Sequence, residues 1–326
     1  MSKLISRLFL IGIIVFSLSF SAFAWDETGH KITAYIAWQR MTPEVREKVI
    51  KILLAASEDS QIATFYLPYG SRTEATRKRE YFMLMATWAD IIRDRNFETR
   101  YKKYHHSNWH YSDTFWKSVN GKVEMLPAPD EGGLALAKII EFEKLERSNA
   151  NDAQKAVGIA WLEHLIGDIH QPLHASARVT DTEPKGDQGG NLFLLTPKDT
   201  PRDKQENLHW IWDSIVGRNL PNSKDKCDAD YLEAIAAAII KKYPYAAMQG
   251  RLALANPEEW KKESFEIAST KVFTADLKRF EAPSTKYKKE ALKIAEERLA
   301  LAGHRMGELF NQIFGAPVGV PAAKGS

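Results

Sequence analysis

The chain of 326 residues carries 45 Lys and Arg against 42 Asp and Glu, a formal net charge of +3. That near-balance excludes a general electrostatic trap for polyanions, so any handling of phosphates needs a local source of positive charge. A single cysteine, Cys227, excludes an intrachain disulfide, and stability has to come from packing or from bound metal.

The first 24 residues read as a secretory signal peptide. "MSKLISR" is short and basic, "LFLIGIIVFSLSF" is apolar, and Ala22 and Ala24 offer the small-residue exit that places cleavage before Trp25. Its removal takes away Lys3 and Arg7 and leaves a net charge of +1. The remainder, 25–326, shows no linker, repeat or low-complexity tract and reads as a single domain. No later apolar run approaches about 20 residues, so no membrane span is expected. The expected location is periplasmic or secreted, and the expected state is a monomer with no stable protein partner.

Most of that domain predicts helix. "TPEVREKVIKILLAA" has Thr42 as cap, Pro43 at the first helical position and apolar residues at 3–4 spacing. "EATRKREYFMLMATWADIIRD" continues the pattern through Asp90, and "GGLALAKIIEFEKLER" is amphipathic. "NDAQKAVGIAWLEHLIGDIHQ" starts at a capping Asn151. Further helices are expected around Asp228–Lys242, Pro257–Val272 and Lys286–Phe314. Strand signal is thin: "ASARVT" and "NLFLLT" flank "DTEPKGDQGG" and fit either one short hairpin or a long loop. The expected class is mainly α, with long loops and at most a short β-hairpin. Loops of that length are usually functional.

Chemistry concentrates in "HLIGDIHQPLH", which spends three of the nine histidines of the chain. His164 and Asp168 are four apart, on one helix face and about 6 Å apart along the axis. Pro172 ends the helix near His170, and the chain can then turn His174 back toward that face. His, Asp and His arriving from different directions suit a metal ion, since imidazole is a neutral directional ligand and a carboxylate can hold one ion with each oxygen. One His-x3-Asp pair alone would favour a solvated helix end; its neighbours reverse that. "NLHWIWDS" repeats the spacing with His209 and Asp213, with Trp210 and Trp212 expected as an apolar wall. "NWHYSD" adds His110 and Asp113. "ATWADIIR" puts Asp90 on a core-facing helix, where a cation partner is expected, with Arg93 one turn on. "WDETGH" places His30 five residues after Trp25. His170 is expected to make a structural hydrogen bond, and His105, His106 and His304 to be solvated or structural.

Taken together, an N-terminal Trp, G-H, W-A-D, H-x-x-D, H-L-x-G-D-x-H-Q-P-L-H, G-G-N and N-L-H-x-x-W-D-S stand in order from Trp25 to Ser214. This series resembles the S1/P1 nuclease family, of the zinc-dependent phospholipase C/P1 nuclease superfamily, across nearly all of 25–326. The resemblance implies that helical fold and three Zn2+ ions. One zinc takes Asp90, His110, His164 and Asp168. A second takes the Trp25 amino nitrogen and carbonyl oxygen, His30 and the other oxygen of Asp168. The third takes His174, His209 and Asp213. An α-amino group of pKa about 7.7–8 loses its proton on binding, so signal cleavage would create a metal ligand.

The same resemblance implies a phosphodiesterase and endonuclease acting on single-stranded DNA and RNA through a metal-activated hydroxide, with 3′-nucleotidase activity left open. Asp90, Arg93 and Asp168 are the implied catalytic residues, Arg93 supporting the charged transition state. Tyr111 would stack on a base and Asp113 would read its edge, with Gly190 and Asn191 of the G-G-N stretch also at the substrate. Stacking requires an unpaired base, hence single strands. Two rivals stand beside this reading. A phospholipase C is opposed by Asp213, where that branch resembles H-x-x-x-E, and by the Trp25–His30 spacing. An exported zinc-binding protein without catalysis is opposed by the complete ligand sets plus Arg93.

Overall fold

The computed structural model describes residues 25–129, 132–220 and 228–316. The leader 1–24 and Cys227 lie outside the described residues. Twelve helices are found among them: α1 (Glu27–Arg40), α2 (Pro43–Leu54), α3 (Glu74–Met85), α4 (Trp88–Ile91), α5 (Glu98–Tyr104), α6 (Ala135–Arg147), α7 (Asp152–Asp168), α8 (Leu208–Arg218), α9 (Asp228–Lys242), α10 (Tyr245–Met248), α11 (Pro257–Ile267) and α12 (Thr285–Phe314). The protein is therefore mainly α, as its periodicity predicts. None of these helices is long and apolar enough to cross a membrane.

The predicted helix starts are found where expected. Thr42 accepts from Val45 N at 3.3 Å with Pro43 at the first helical position, and Asn151 accepts from Gln154 N at 2.9 Å. α7 is buried almost all round from Gly158 to Asp168 and runs through the middle of the molecule. α1 packs against α12 at close range because α12 presents glycine there. A Cβ on Gly303 would lie 2.5 Å from Ile36 Cβ, and one on Gly307 2.6 Å from the Ala37 carbonyl. One hydrophobic cluster joins α1, α2, α3, α7, α8 and α12; a small satellite of Trp116, Ala175 and Phe265 sits under the sheet.

One expectation is corrected, and one open alternative is decided against a hairpin. The helix predicted to run unbroken through Asp90 stops at Met85, and α4 begins at Trp88. At the break, Asp90 N bonds to Thr87 O at 3.0 Å, three residues back rather than four. The Ala86 carbonyl is thereby released from the helical ladder, which matters below. The stretches "ASARVT" and "NLFLLT" do not pair with each other. Strand β1 (Thr114–Val119) pairs antiparallel with β2 (Lys122–Met125) and parallel with β3 (Ser176–Arg178), giving the order β2-β1-β3. Leu194, in the second stretch, bridges Asn207 instead. The hairpin turn is Asn120-Gly121, with φ of 51° and 76°. An Asn-Gly pair with both residues at positive φ is the strongest short-range hairpin signal, and it was legible in "SVNGKV".

Candidate metal centre

α7 ends as Pro172 dictates. Ile169 closes the helix, Gln171 N bonds to Asp168 O at 2.9 Å, and a short 3-10 turn (Pro172–Ala175) carries His174 back over the helix end. α8 starts at Asn207, whose side chain accepts from Trp210 N, and presents His209 and Asp213 one turn apart. α1 brings His30, α4 brings Asp90, and the turn before β1 brings His110.

These side chains gather into three groups, His30–His164–Asp168, Asp90–His110–His164 and His174–His209–Asp213, each with its ligand atoms within 4.8 Å of one another. Asp168 faces two ways. Its Oδ1 lies 3.3 Å from His30 Nε2, while its Oδ2 lies 3.2 Å from His110 Nδ1 and 3.3 Å from His164 Nε2. Asp90 Oδ1 is 3.8 Å from His164 Nε2. In the third group His174 Nε2 is 3.1 Å from His209 Nε2, and the Asp213 oxygens are 3.7 and 3.3 Å from the two rings. An ion with ligands at about 2.0–2.1 Å in a tetrahedron holds them about 3.3 Å apart, edge to edge, so these spacings are those of a ligand shell.

The ring tautomers point the same way. A carbonyl oxygen only accepts, so a ring nitrogen against it carries the proton. His164 Nδ1–H donates to Ala86 O at 2.8 Å, the carbonyl released by the break before α4. His174 Nδ1–H donates to His110 O at 2.6 Å, and His209 Nδ1–H to Gly189 O at 2.7 Å. In the neutral rings the Nε2 lone pairs therefore converge with carboxylate oxygens, an arrangement that calls for a cation. A backbone carbonyl behind a ligating imidazole is the usual way to fix its orientation. Burial lowers the pKa of His30 and pushes His110 down to about 3, favouring the neutral form that binds metal. On His164 burial acts the same way, but Asp168 and Asp90 outweigh it and hold the value up: positive charge is wanted at this point. Burial likewise drives Asp213 well above the usual carboxylate range. The donor set, its burial and its tautomers fit divalent metal.

All eight predicted side-chain ligands are thus brought together. Trp25 is fully buried; Asp26 N donates to Asp213 O at 3.0 Å and His30 N to Asp26 O at 3.1 Å, which fixes the segment between α8 and α1. Arg93 Nη2 lies 2.9 Å from Asp90 Oδ1. Tyr111 is half-buried beneath Gly133, where a Cβ would lie 2.4 Å from the tyrosine Cδ2. Asp113 is not part of the three groups, and the charges that act on it are Asp187 and Lys261. Burial, then the Asp187 charge, push its carboxyl well above the usual range, while Lys261 opposes them. Gly190 packs on Leu173 and Leu208, and Asn191 bonds to Gln188 O and accepts from Asn207 Nδ2.

Among the remaining residues, one lands differently from expectation. Trp212 is buried, but Trp210 is 43% exposed and so is not the apolar wall expected of it. An α8 that puts His209 and Asp213 inward has to turn one of the two tryptophans toward water. His304 is buried against Tyr243 O, the structural one of the two expected alternatives. His170 is hydrogen-bonded at both nitrogens, to Ile166 O and to Arg305. Sequence reasoning missed Gln171, whose amide donates to Asp213 Oδ1 at 2.6 Å while its carbonyl accepts from Leu173 N. It also missed Gly189, where a Cβ would lie 2.5 Å from Leu173 O and φ is +60°. The G-G pair was the available signal: two glycines where backbone must approach closely.

A family model described as S1/P1 Nuclease matches residues 25–315. Nuclease P1 of Penicillium citrinum is 22% identical over 311 residues, 90% of this chain and 99% of that protein. Endonuclease 4 of Arabidopsis thaliana is 29% identical over 167 residues, 48% of this chain; there the match spans about half, 50%, of the relative. A Phospholipase C of Bacillus cereus is 22% identical over 179 residues, 55% of this chain and 58% of that protein.

Proposed function

The chain belongs to the S1/P1 nuclease family, and from that premise we propose that it is a zinc-dependent endonuclease hydrolysing phosphodiesters of single-stranded DNA and RNA. The observation that carries the reading is Asp168: one buried carboxylate whose two oxygens face two different histidine groups. We assign the ligands of three Zn2+ ions as Asp90, His110, His164 and Asp168; Trp25, His30 and Asp168; and His174, His209 and Asp213. When bound, the ions supply Lewis-acid stabilisation of the phosphoryl oxygens and a water acidic enough to act as nucleophile near neutral pH. The protein holds the ligands rigidly: ring N–H groups are tied to Ala86, His110 and Gly189 carbonyls, and Gln171 fixes Asp213. Arg93 orients Asp90 and adds positive charge beside it, which would stabilise negative charge developing on a bound phosphodiester. Residues 25–326 form one exported domain once 1–24 is removed.

The direct test is turnover on single-stranded DNA, RNA and phosphatidylcholine, with bound metal measured on the same preparation. Cleavage of both nucleic acids, about three zinc per chain and loss of activity with chelator are expected. The Phospholipase C relative makes the lipid arm the serious rival. Turnover of phosphatidylcholine alone would transfer the site to that chemistry, and zinc without any turnover would make it a binding protein.

Tyr111 is assigned to base stacking, with Asp113 at the base edge and Gly190 and Asn191 shaping the loop beside it. Tyr111→Ala is expected to lower kcat/KM on a single strand by about 1–3 kcal/mol. A small activated phosphodiester without a base should be cleaved nearly as by the parent. Equal losses on the two substrates would mean that Tyr111 supports the ligand shell, since His110 precedes it.

A further inference from the structure

Strand β3 ends at Arg178, and the chain makes an excursion before it returns to the same place. Arg178 N donates to Asp187 Oδ1, and Asp187 N donates to Arg178 O, both at 2.9 Å, so two reciprocal bonds close the neck of the loop. Glu183 shapes its tip: it accepts from Thr180 and Thr182 and pairs with Arg279 at 2.7 Å. Arg279 in turn donates to Leu192 O at 2.8 Å. A cavity of about 390 Å³ lies between this loop and residues 277–279, with Arg178, Thr180, Asp187, Phe193, Lys278 and Arg279 in its lining. None of its lining residues belongs to the three metal groups.

Two polar groups of that lining have no protein partner. Arg178 Nε is buried without an acceptor, and among the described residues the guanidinium makes no ion pair. It rests instead near the rings of Phe273 and Trp116, 5.0 and 5.8 Å from their centroids. Asp187 is 1% exposed, and its Oδ2 is buried without a donor. The two residues attract one another but form no ion pair. Leaving such groups unpaired under a cover of protein is costly, and a ligand that meets both removes the cost. With Glu183 matched by Arg279, the remaining charge is Arg178 and Lys278 against Asp187, a net positive lining.

The occupant therefore needs negative charge for Arg178 and Lys278 and, on the same small group, an O–H for Asp187 Oδ2. Sulfate and a phosphodiester bring only acceptor oxygens. A phosphate monoester loses its last proton at a pKa of about 6, so near neutral pH part of it still carries a P–OH. We propose that this cavity is a second phosphate site, separate from the metal centre, which takes inorganic phosphate or a terminal phosphate monoester and discriminates against sulfate and phosphodiesters. Hydrolysis of a phosphodiester leaves such a monoester end, which gives the site a product to hold. Its chemistry does not depend on the reaction assigned to the metal centre.

The test follows the Arg178 Nε–H resonance in nitrogen-15-labelled, zinc-loaded protein, assigned by its absence from Arg178→Gln. Phosphate also meets zinc, and a resonance in the cavity separates the two sites. Inorganic phosphate and thymidine 5′-phosphate should each shift it saturably, and the tighter of the two identifies the source as free phosphate or a strand end. Sulfate and dimethyl phosphate should bind at least about tenfold more weakly. In calorimetry, Arg178→Gln should weaken this binding component by about 10- to 150-fold, the range for one charge-assisted hydrogen bond, with bound zinc unchanged. Asp187→Asn keeps an oxygen for Arg178 N and offers an amide N–H to the cavity, so sulfate should then bind as well as phosphate. A resonance that phosphate does not move, equal binding of sulfate by the parent, unchanged affinity in Arg178→Gln, or sulfate still excluded by Asp187→Asn would overturn the site, and none of these results bears on the nuclease reading. A parent that cleaves no nucleic acid would overturn that reading and leave the phosphate site standing.

Discussion

Asp168→Asn is expected to abolish nearly all phosphodiester hydrolysis, by on the order of 10^3-fold or more in kcat, and to lower bound zinc at two of the three groups. The side chain keeps its size, so α7 should fold as before. What changes is charge and ligation: an NH2 replaces one of the two oxygens that face His30 on one side and His110 and His164 on the other. The remaining oxygen can serve one group only. In the parent, burial opposes ionisation, but those histidines outweigh it and hold the Asp168 carboxyl well below the usual carboxylate range, favouring the anionic form a metal ligand needs. Metal analysis and turnover on one preparation check this, and a variant with full metal and full turnover would refute the shared carboxylate.

An added residue in front of Trp25 is expected to do comparable damage by different means. If the Trp25 amine is a ligand, one extra residue turns it into a planar amide, a very poor neutral donor. There is little slack to absorb the extra bulk. Trp25 is fully buried, a Cβ at Gly29 would already lie 2.7 Å from Trp25 Cβ, and Asp26 N is bonded to Asp213 O. His30 and one Asp168 oxygen would then hold the ion with fewer protein ligands than zinc normally has. Metal should fall from about three toward two per chain and activity should drop severely, while far-ultraviolet circular dichroism stays helical. Preparations beginning at Trp25 and at one added residue, with equal metal and equal rates, would rule the amino terminus out as a ligand.

Much of this architecture was legible because the strongest signals are periodic or punctuated. Thr42-Pro43 and Asn151 mark helix starts by capping chemistry, and Pro172 marks the end of α7 by removing a donor. The i, i+4 pairs His164–Asp168 and His209–Asp213 fix ligand faces from helix geometry alone. What was not legible depends on long-range partners. Nothing local stops a helix at Ala86; the break becomes worthwhile because His164, 78 positions away, takes the released carbonyl. Strand β3 is three residues long and has no pattern of its own, so its pairing with Thr114–Trp116 is set by where His174 and His110 must meet. The Asn120-Gly121 turn was a local signal and was passed over. The orientations of Trp210 and Trp212 follow from which face of α8 the ligands claim, and sequence spacing alone did not decide between them.

The hydrogen bond from His174 to the His110 carbonyl has a consequence for how the centre fills. Residue 110 presents its imidazole to the group that includes Asp90 and His164, and its own peptide oxygen orients a ligand of the group that includes His209. The conformational freedom of this single peptide is thus a cost common to both. An ion that further immobilised His110 would also hold the acceptor that aims His174, so a second ion would meet a ring with less entropy left to lose. By reciprocity the benefit is the same in the other order of loading. If both groups hold ions, their occupancies would be linked through the backbone of residue 110.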